Sequence, residues 1–188
     1  MVLGHDLLEP NEDNRVYREA LTLVKAGYDV TVFCWARRME KYETKWEVEK
    51  DGIKVVRIFE DLEGGFFSKV RSFKKAMKQL QEKIEEYDAQ VVHAHDLETL
   101  EVAVNSSKKN NAKVIFDSHE DWPMMEIVQN WFIGKYYERK QKKLLKSVDA
   151  VLTVSDELAI RLGGGTVLYN SEPVEVVEKP VENHKFGM

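Results

Sequence analysis

The chain has 188 residues, 43% hydrophobic and 10% aromatic, which excludes a disordered or collagen-like polypeptide and suffices for one domain with a full core. Its 28 Lys+Arg against 33 Asp+Glu leave a formal charge of −5, which argues against broad binding of a polyanion such as duplex DNA but permits a local basic patch. With one cysteine, Cys34, the fold needs no oxidising compartment, and no apolar run nears the roughly 20 residues of a membrane span, so the cytoplasm is the expected location.

Short β-rich runs alternate with longer helical patterns, the signature of βαβ units around a parallel sheet. Met1–Leu3 is a strand stub followed by a polar loop. Val16, Ala20, Leu23 and Val24 fall on one face of a helix over 14–26, with Gly27 as its stop. Residues 28–36 read as a buried strand. Asp51-Gly52, suited to the positive φ angles of a type I′ turn, predicts a hairpin between 46–50 and 53–58 at a sheet edge. Val70, Phe73, Met77, Leu80 and Ile84 mark an amphipathic helix over 68–86 with a lysine-rich outer side. Strands are expected at 89–93, 113–117 and 150–154, helices at 97–109, 124–146 and 156–162, and a short strand at 166–169. From Glu172 the Pro/Val/Glu/Lys mixture reads as a linker or frayed tail. The expectation is an α/β, Rossmann-like open parallel sheet with helices on both faces, one domain over 1–173 and a tail over 174–188.

In such a sheet the residues just after each strand face the binding crevice. His5, His93 and His95 (in HAHD) and His119 (in DSHED) all sit at such ends. Imidazoles and carboxylates there can serve a hydroxyl-rich substrate by hydrogen bonding and proton transfer, or they can hold a metal ion. The plain alternative packs His93 as a strand end and makes Asp96 the N-cap of the helix beginning at Leu97. Arg15, Arg18 and Glu19 lie in the first turns of the first helix, either on a solvated face or with an arginine meeting a phosphate. No GxGxxG fingerprint, GxSxG elbow, CxxC pair or HExxH helix is present. Cys34 reads as an inert buried thiol. The basic, Phe-containing stretch 66–78 and the aromatic stretch 124–137 are candidates for peripheral contact with a membrane surface, against the plainer reading of half-core, half-solvated helices.

The ordered blocks DNRVYREALTL, AGYDVTV, VVHAHDLETL, VIFDSHEDWP, DAVLTVSDELA and VLYNSEP resemble the N-terminal domain of GT-B glycosyltransferases of the family 4 type, from about Asp13 to Pro173. The resemblance implies an acceptor-binding domain of a retaining enzyme that moves a sugar from a nucleotide-sugar to an acceptor hydroxyl. It implies that His119 reaches the transferred sugar as the catalytic residue, and that His95, Asp96, Glu120 and Trp122 line the acceptor side. Arg15 would lie towards the donor phosphates, with Asn170 and Ser171 where the chain leaves for a second Rossmann domain. That donor domain is the expected partner and the expected reason for inactivity of this chain alone. No cofactor or metal is implied beyond the nucleotide-sugar, the acceptor is a sugar or a lipid-linked hydroxyl, and no nucleic acid is expected. Two departures stand out: GHDLLEPNED replaces the family's glycine-rich loop, and the first strand is short. The alternatives carried forward are a small metal-dependent hydrolase built on His93, His95, Asp96, His119 and Glu120, and a non-catalytic binding module.

Overall fold

The computed structural model describes residues 1–7, 14–37, 47–62 and 64–170. Its strands are β1 (Val2–Leu3), β2 (Val30–Ala36), β3 (Glu47–Lys50), β4 (Ile53–Phe59), β5 (Val91–His95), β6 (Lys113–Ser118), β7 (Ala150–Thr153) and β8 (Thr166–Val167). The helices are α1 (Asn14–Lys25), α2 (Phe66–Glu85), α3 (Asp96–Asn110), α4 (Trp122–Gln129), α5 (Trp131–Leu144) and α6 (Asp156–Leu162). The eight described strands form one sheet in the order β3-β4-β2-β1-β5-β6-β7-β8, parallel except for the β3–β4 hairpin at one edge. That hairpin turns on Asp51 and Gly52, both at positive φ, as the Asp-Gly dipeptide predicts.

The pleat sorts the two faces. Phe33, Trp35, Val56, Ile58, Val92, Ala94, Val114 and Phe116 point to one side, where Ala76, Leu80 and Ile84 of α2 and Leu100, Ala103 and Val104 of α3 cover them. Val30, Val32, Cys34, Ile53 and Val55 point to the other and meet Val16 and Ala20 of α1. Burying each large side chain contributes about 1.5–3 kcal/mol, so α2 and α3 dominate the core. Helices thus lie on both faces, as expected, with α1 alone on the second face among the described residues.

Three expectations need correction. The fifth strand spans Val91–His95 rather than 89–93, because its histidines continue the ladder into β6, with His93 opposite Ile115 and His95 opposite Asp117. The single helix expected over 124–146 is two. Asn130 is extended (φ −151°) and its Oδ1 accepts from the backbone N–H groups of Phe132 and Ile133, starting α5 afresh. The two helices then pack so closely that a Cβ on Gly134 would stand 2.4 Å from the Ile127 nitrogen. Asp96, third, is not an N-cap. It is the first residue of α3, at φ 64°, and its carboxylate accepts from the backbone N–H of His119 at 3.0 Å instead.

Candidate functional site

Because β5 and β6 are parallel and in register, the residues at their carboxyl ends meet at one crevice, and the alternation of the pleat puts His93, His95 and Asp117 on the face that α1 crosses. Asp117 is fully buried and is the centre of the cluster. Arg15 Nη2 donates to both Asp117 oxygens at 3.1 and 3.0 Å, its Nη1 donates to the Leu168 carbonyl at 2.7 Å, and its Nε lies 2.9 Å from Glu19 Oε1. His119 Nε2 approaches Asp117 Oδ2 at 3.4 Å and His95 Nδ1 at 3.3 Å, while its Nδ1 stands 3.7 Å from Asp96. His119 is therefore held between two carboxylates. His93 and His95 stack with ring centroids 4.3 Å apart, their nearest atoms 4.0 and 3.8 Å from Asp117.

Electrostatics follow from this burial. Loss of water lowers the His93 imidazole to about 4 and holds His95 well below its ordinary range, so both rings are neutral. Burial, then the neighbouring Asp117 charge, raises the Glu19 carboxyl to about 7 against the opposing pull of Arg15. Burial also pushes Asp117 up, but the His119 and Arg15 contacts outweigh it and leave this carboxyl below its usual value. Asp96 is raised, chiefly by burial.

The structure brings together Arg15, His95, Asp96 and His119 of the residues singled out from sequence. Arg15 is buried and turned inward onto Asp117. Glu120 is exposed, and Trp122, half-buried, packs edge-on against Tyr137 at 5.5 Å. Asn170 is exposed, and Ser171 lies outside the described residues. Sequence alone does not single out Asp117 among the carboxylates of DSHED, and it leaves Glu19 in the first turns of α1 without a role of its own. Strand parity with His95 carried the signal for Asp117, and the i,i+4 spacing from Arg15 carried it for Glu19. Glu98 and Arg37 were missed as well. Arg37 donates to the Gly4 carbonyl at 2.8 Å and pairs with Glu98 at 3.2 Å, and a Cβ on Gly4 would collide with the Glu98 carboxylate.

The metal-ligating set also differs from expectation. Among the described residues, Glu19, His93, His95 and Asp117 offer ligand atoms within 4.8 Å of one another, so Asp96, His119 and Glu120 fall outside the group. Beside the crevice a groove of about 660 Å³ runs between α4, α5 and α6, lined by Met124, Ile127, Trp131 and Leu158. The Asp121–Arg161 ion pair (2.6 Å) lies along it. No helix among the described residues is long and apolar enough to cross a membrane.

Structures similar to this one include two of a sucrose-phosphate synthase from Thermosynechococcus elongatus. One has a TM-score of 0.63 at 14% identity and the other 0.59 at 13%, covering 89% and 90% of this chain and 43% and 86% of those chains. A structure from E. coli described as trehalose-6-phosphate bound with UDP-2-fluoro glucose matches with a TM-score of 0.57 at 14% identity, over 86% of this chain and 41% of that one. At such identities the likeness establishes the fold, the Rossmann-like sheet of GT-B proteins. In two of the three, this chain spans about two fifths of the matched length. No curated protein matches the sequence significantly. The model of Glycosyltransferase Family 4 matches residues 13–183, nearly the whole chain and every element of the crevice from Arg15 to Leu168, and the chain belongs to that family.

Proposed function

We propose that this chain is the acceptor-binding half of a retaining glycosyltransferase that moves a sugar from a nucleotide-sugar to an acceptor hydroxyl. The observation that carries the reading is the clamp on His119. In a family 4 domain, an imidazole at the carboxyl end of β6 is held by Asp96 on one side and Asp117 on the other, with a fraction of its ring open to the crevice. In this reading His119 hydrogen-bonds a hydroxyl of the sugar being transferred and fixes its orientation. The bond from the anomeric carbon to the leaving phosphate breaks as the bond to the acceptor oxygen forms on the same face, and the acceptor's proton passes to the leaving phosphate oxygen. His95, Asp96, Glu120 and Trp122 are assigned to the acceptor side. Arg15 acts through Asp117 and the Leu168 carbonyl, positioning His119 and the chain segment leading to Asn170 and Ser171.

Transfer in this reading requires a second Rossmann domain for the nucleotide-sugar, in the same polypeptide or a separate one. The test is turnover with a nucleotide-sugar and an acceptor, by the 188-residue chain alone and joined to such a domain. The expected result is no turnover alone and turnover when joined. Robust transfer by the chain alone overturns the requirement for a second domain.

A second reading, a divalent-metal hydrolase, draws on the close approach of Glu19, His93, His95 and Asp117. Arg15 already spans both Asp117 oxygens, which opposes a second cation there. Elemental analysis of the purified chain separates the two: stoichiometric zinc, manganese or iron favours the hydrolase.

A further inference from the structure

Helices α2 and α5 repeat one unusual pattern on their outer sides. Residues 66–81 carry five cations and no carboxylate, and residues 131–146 carry six cations and only Glu138, in a chain whose formal charge is −5. In α2, Phe67, Arg71, Lys74 and Lys78 recur at i, i+4, i+7 and i+11; in α5, Phe132, Tyr136, Arg139 and Lys143 recur at the same spacing. All eight are exposed, Phe67 by 87% and Phe132 by 79%. Each stripe lies away from the side its helix buries, which is Ala76, Leu80 and Ile84 in α2 and Tyr137 and Leu144 in α5.

Chain order aligns the two stripes. α2 connects the carboxyl end of β4 to the start of β5, and α4 with α5 together connect that of β6 to the start of β7, so both α2 and α5 run back from the carboxyl edge along the same face of the sheet. Their aromatic residues therefore sit at the crevice end and their cations along the body. Val70 and Val128 add exposed aliphatic surface at that end, Val128 by 83%. Arg71, Lys74, Arg139 and Lys143 have no carboxylate partner among the described residues, whereas Lys78 pairs with Glu82 at 3.4 Å and Lys75, Lys135 and Lys142 also pair.

We propose that this outer surface docks on an anionic lipid bilayer, with the aromatic ends entering the headgroup region and the cationic bodies lying against lipid phosphates. The segregation favours a bilayer over a polynucleotide. Single-stranded nucleic acid binds where aromatic rings interleave with cations along a groove, and exposed valines offer nothing to a base. Docking in this way brings the carboxyl edge of the sheet, where the aromatic ends lie, next to the headgroups, within reach of an acceptor hydroxyl on a membrane-anchored molecule; this last step rests on the transferase reading above.

Co-sedimentation of the purified chain with phosphatidylcholine vesicles, with and without phosphatidylglycerol, tests the proposal. Binding is expected only to the phosphatidylglycerol vesicles, and weaker as salt rises. Arg71→Gln with Lys74→Gln, or Arg139→Gln with Lys143→Gln, should weaken it about 25-fold, at about fivefold per cation. Phe67→Ser with Phe132→Ser should also release the chain, and circular dichroism should show these surface variants folded. The proposal is overturned by absence of binding, by binding that ignores both stripes, by a dimer that Phe132→Ser dissociates, or by preference for single-stranded polynucleotide over vesicles. In the joined enzyme, vesicle binding without sugar transfer removes the transferase reading and leaves the docking. Transfer to soluble acceptors by an enzyme that ignores vesicles does the reverse.

Discussion

Two charged centres are buried on the same face of the sheet, one on each side of β1. On the β2–β4 side, Arg57 Nε donates to Asp6 at 2.7 Å and the Cys34 thiol points at the same carboxylate from 3.8 Å. On the β5–β6 side, Arg15 meets Asp117 and Glu19 among three imidazoles. The first centre brings the Asp6 carboxylate onto the Arg57 guanidinium. The second holds several titratable groups, and among the described residues Glu19 Oε2, His93 Nε2 and His95 Nε2 are buried with no hydrogen-bond partner. Burial without pairing is costly and persists where the surroundings use it. The comparison thus separates a compact carboxylate–guanidinium contact from a cluster with several titratable groups at the carboxyl edge of the sheet.

Breaking each centre at its carboxylate should give the largest effect. Asp117→Asn and Asp6→Asn each remove the buried carboxylate charge that faces a buried arginine and should destabilise the fold by about 3–5 kcal/mol in denaturant unfolding. Their activities should diverge: in a joined enzyme, Asp117→Asn also lowers transfer per folded molecule, and Asp6→Asn does not. Equal loss of specific activity in both would erase the distinction.

His119→Ala should follow, lowering kcat about 100- to 1,000-fold while costing less stability than Asp117→Asn, since the ring is less buried than that carboxylate. A fully active variant would remove His119 from the reaction.

pH sharpens the contrast further. An unfolded histidine takes up a proton near its ordinary 6.5, but folded His93 resists until about 4 and burial holds folded His95 well below that ordinary value, so both lose stability as pH falls below 6.5. Glu19 has the opposite sign. Its folded carboxyl keeps a proton up to about 7 while the unfolded one ionises near 4.5, so its contribution is lost as pH rises through that window. From pH 6.5 to 5 the two imidazoles lower stability on acidification, and Glu19 opposes that fall. Glu19→Gln should steepen that fall by about 1.4 kcal/mol per pH unit, and His93→Gln should flatten it by a similar amount. Thermal melts across the window read both slopes; coincident slopes would mean the two groups do not titrate as stated. The smallest effect belongs to Cys34→Ser, which keeps a donor towards Asp6 and should cost about 1 kcal/mol with no change in activity. Burial, then the Asp6 charge, pushes the Cys34 thiol up, so thiol reagents should label it only after unfolding.

Most of the architecture was legible because it is written locally: alternating runs, the Asp51-Gly52 turn and the α2 periodicity each specify their element without help from elsewhere. The crevice was half legible. Histidines at strand ends pointed to it, but Asp117 acquires its role only from register with His95, and Glu19 only from the first turns of α1 bringing Arg15 onto Asp117. The misplacement of β5 has the same origin, since polar residues look like loop until a neighbouring strand supplies partners for them. Asn130 broke the expected long helix by capping α5, a preference that hydrophobic spacing does not encode.

The absent side chain at Gly134 carries a consequence for how the α4–α5 corner can evolve. With the Ile127 backbone where a methyl group would stand, even alanine there must lever α4 away from α5. The corner bearing Trp131 and Phe132 moves with that lever, as does the wall of the neighbouring groove formed by Met124 and Ile127. One hydrogen atom thereby sets the height of an aromatic ridge and the width of a groove together, so neither dimension can drift without the other.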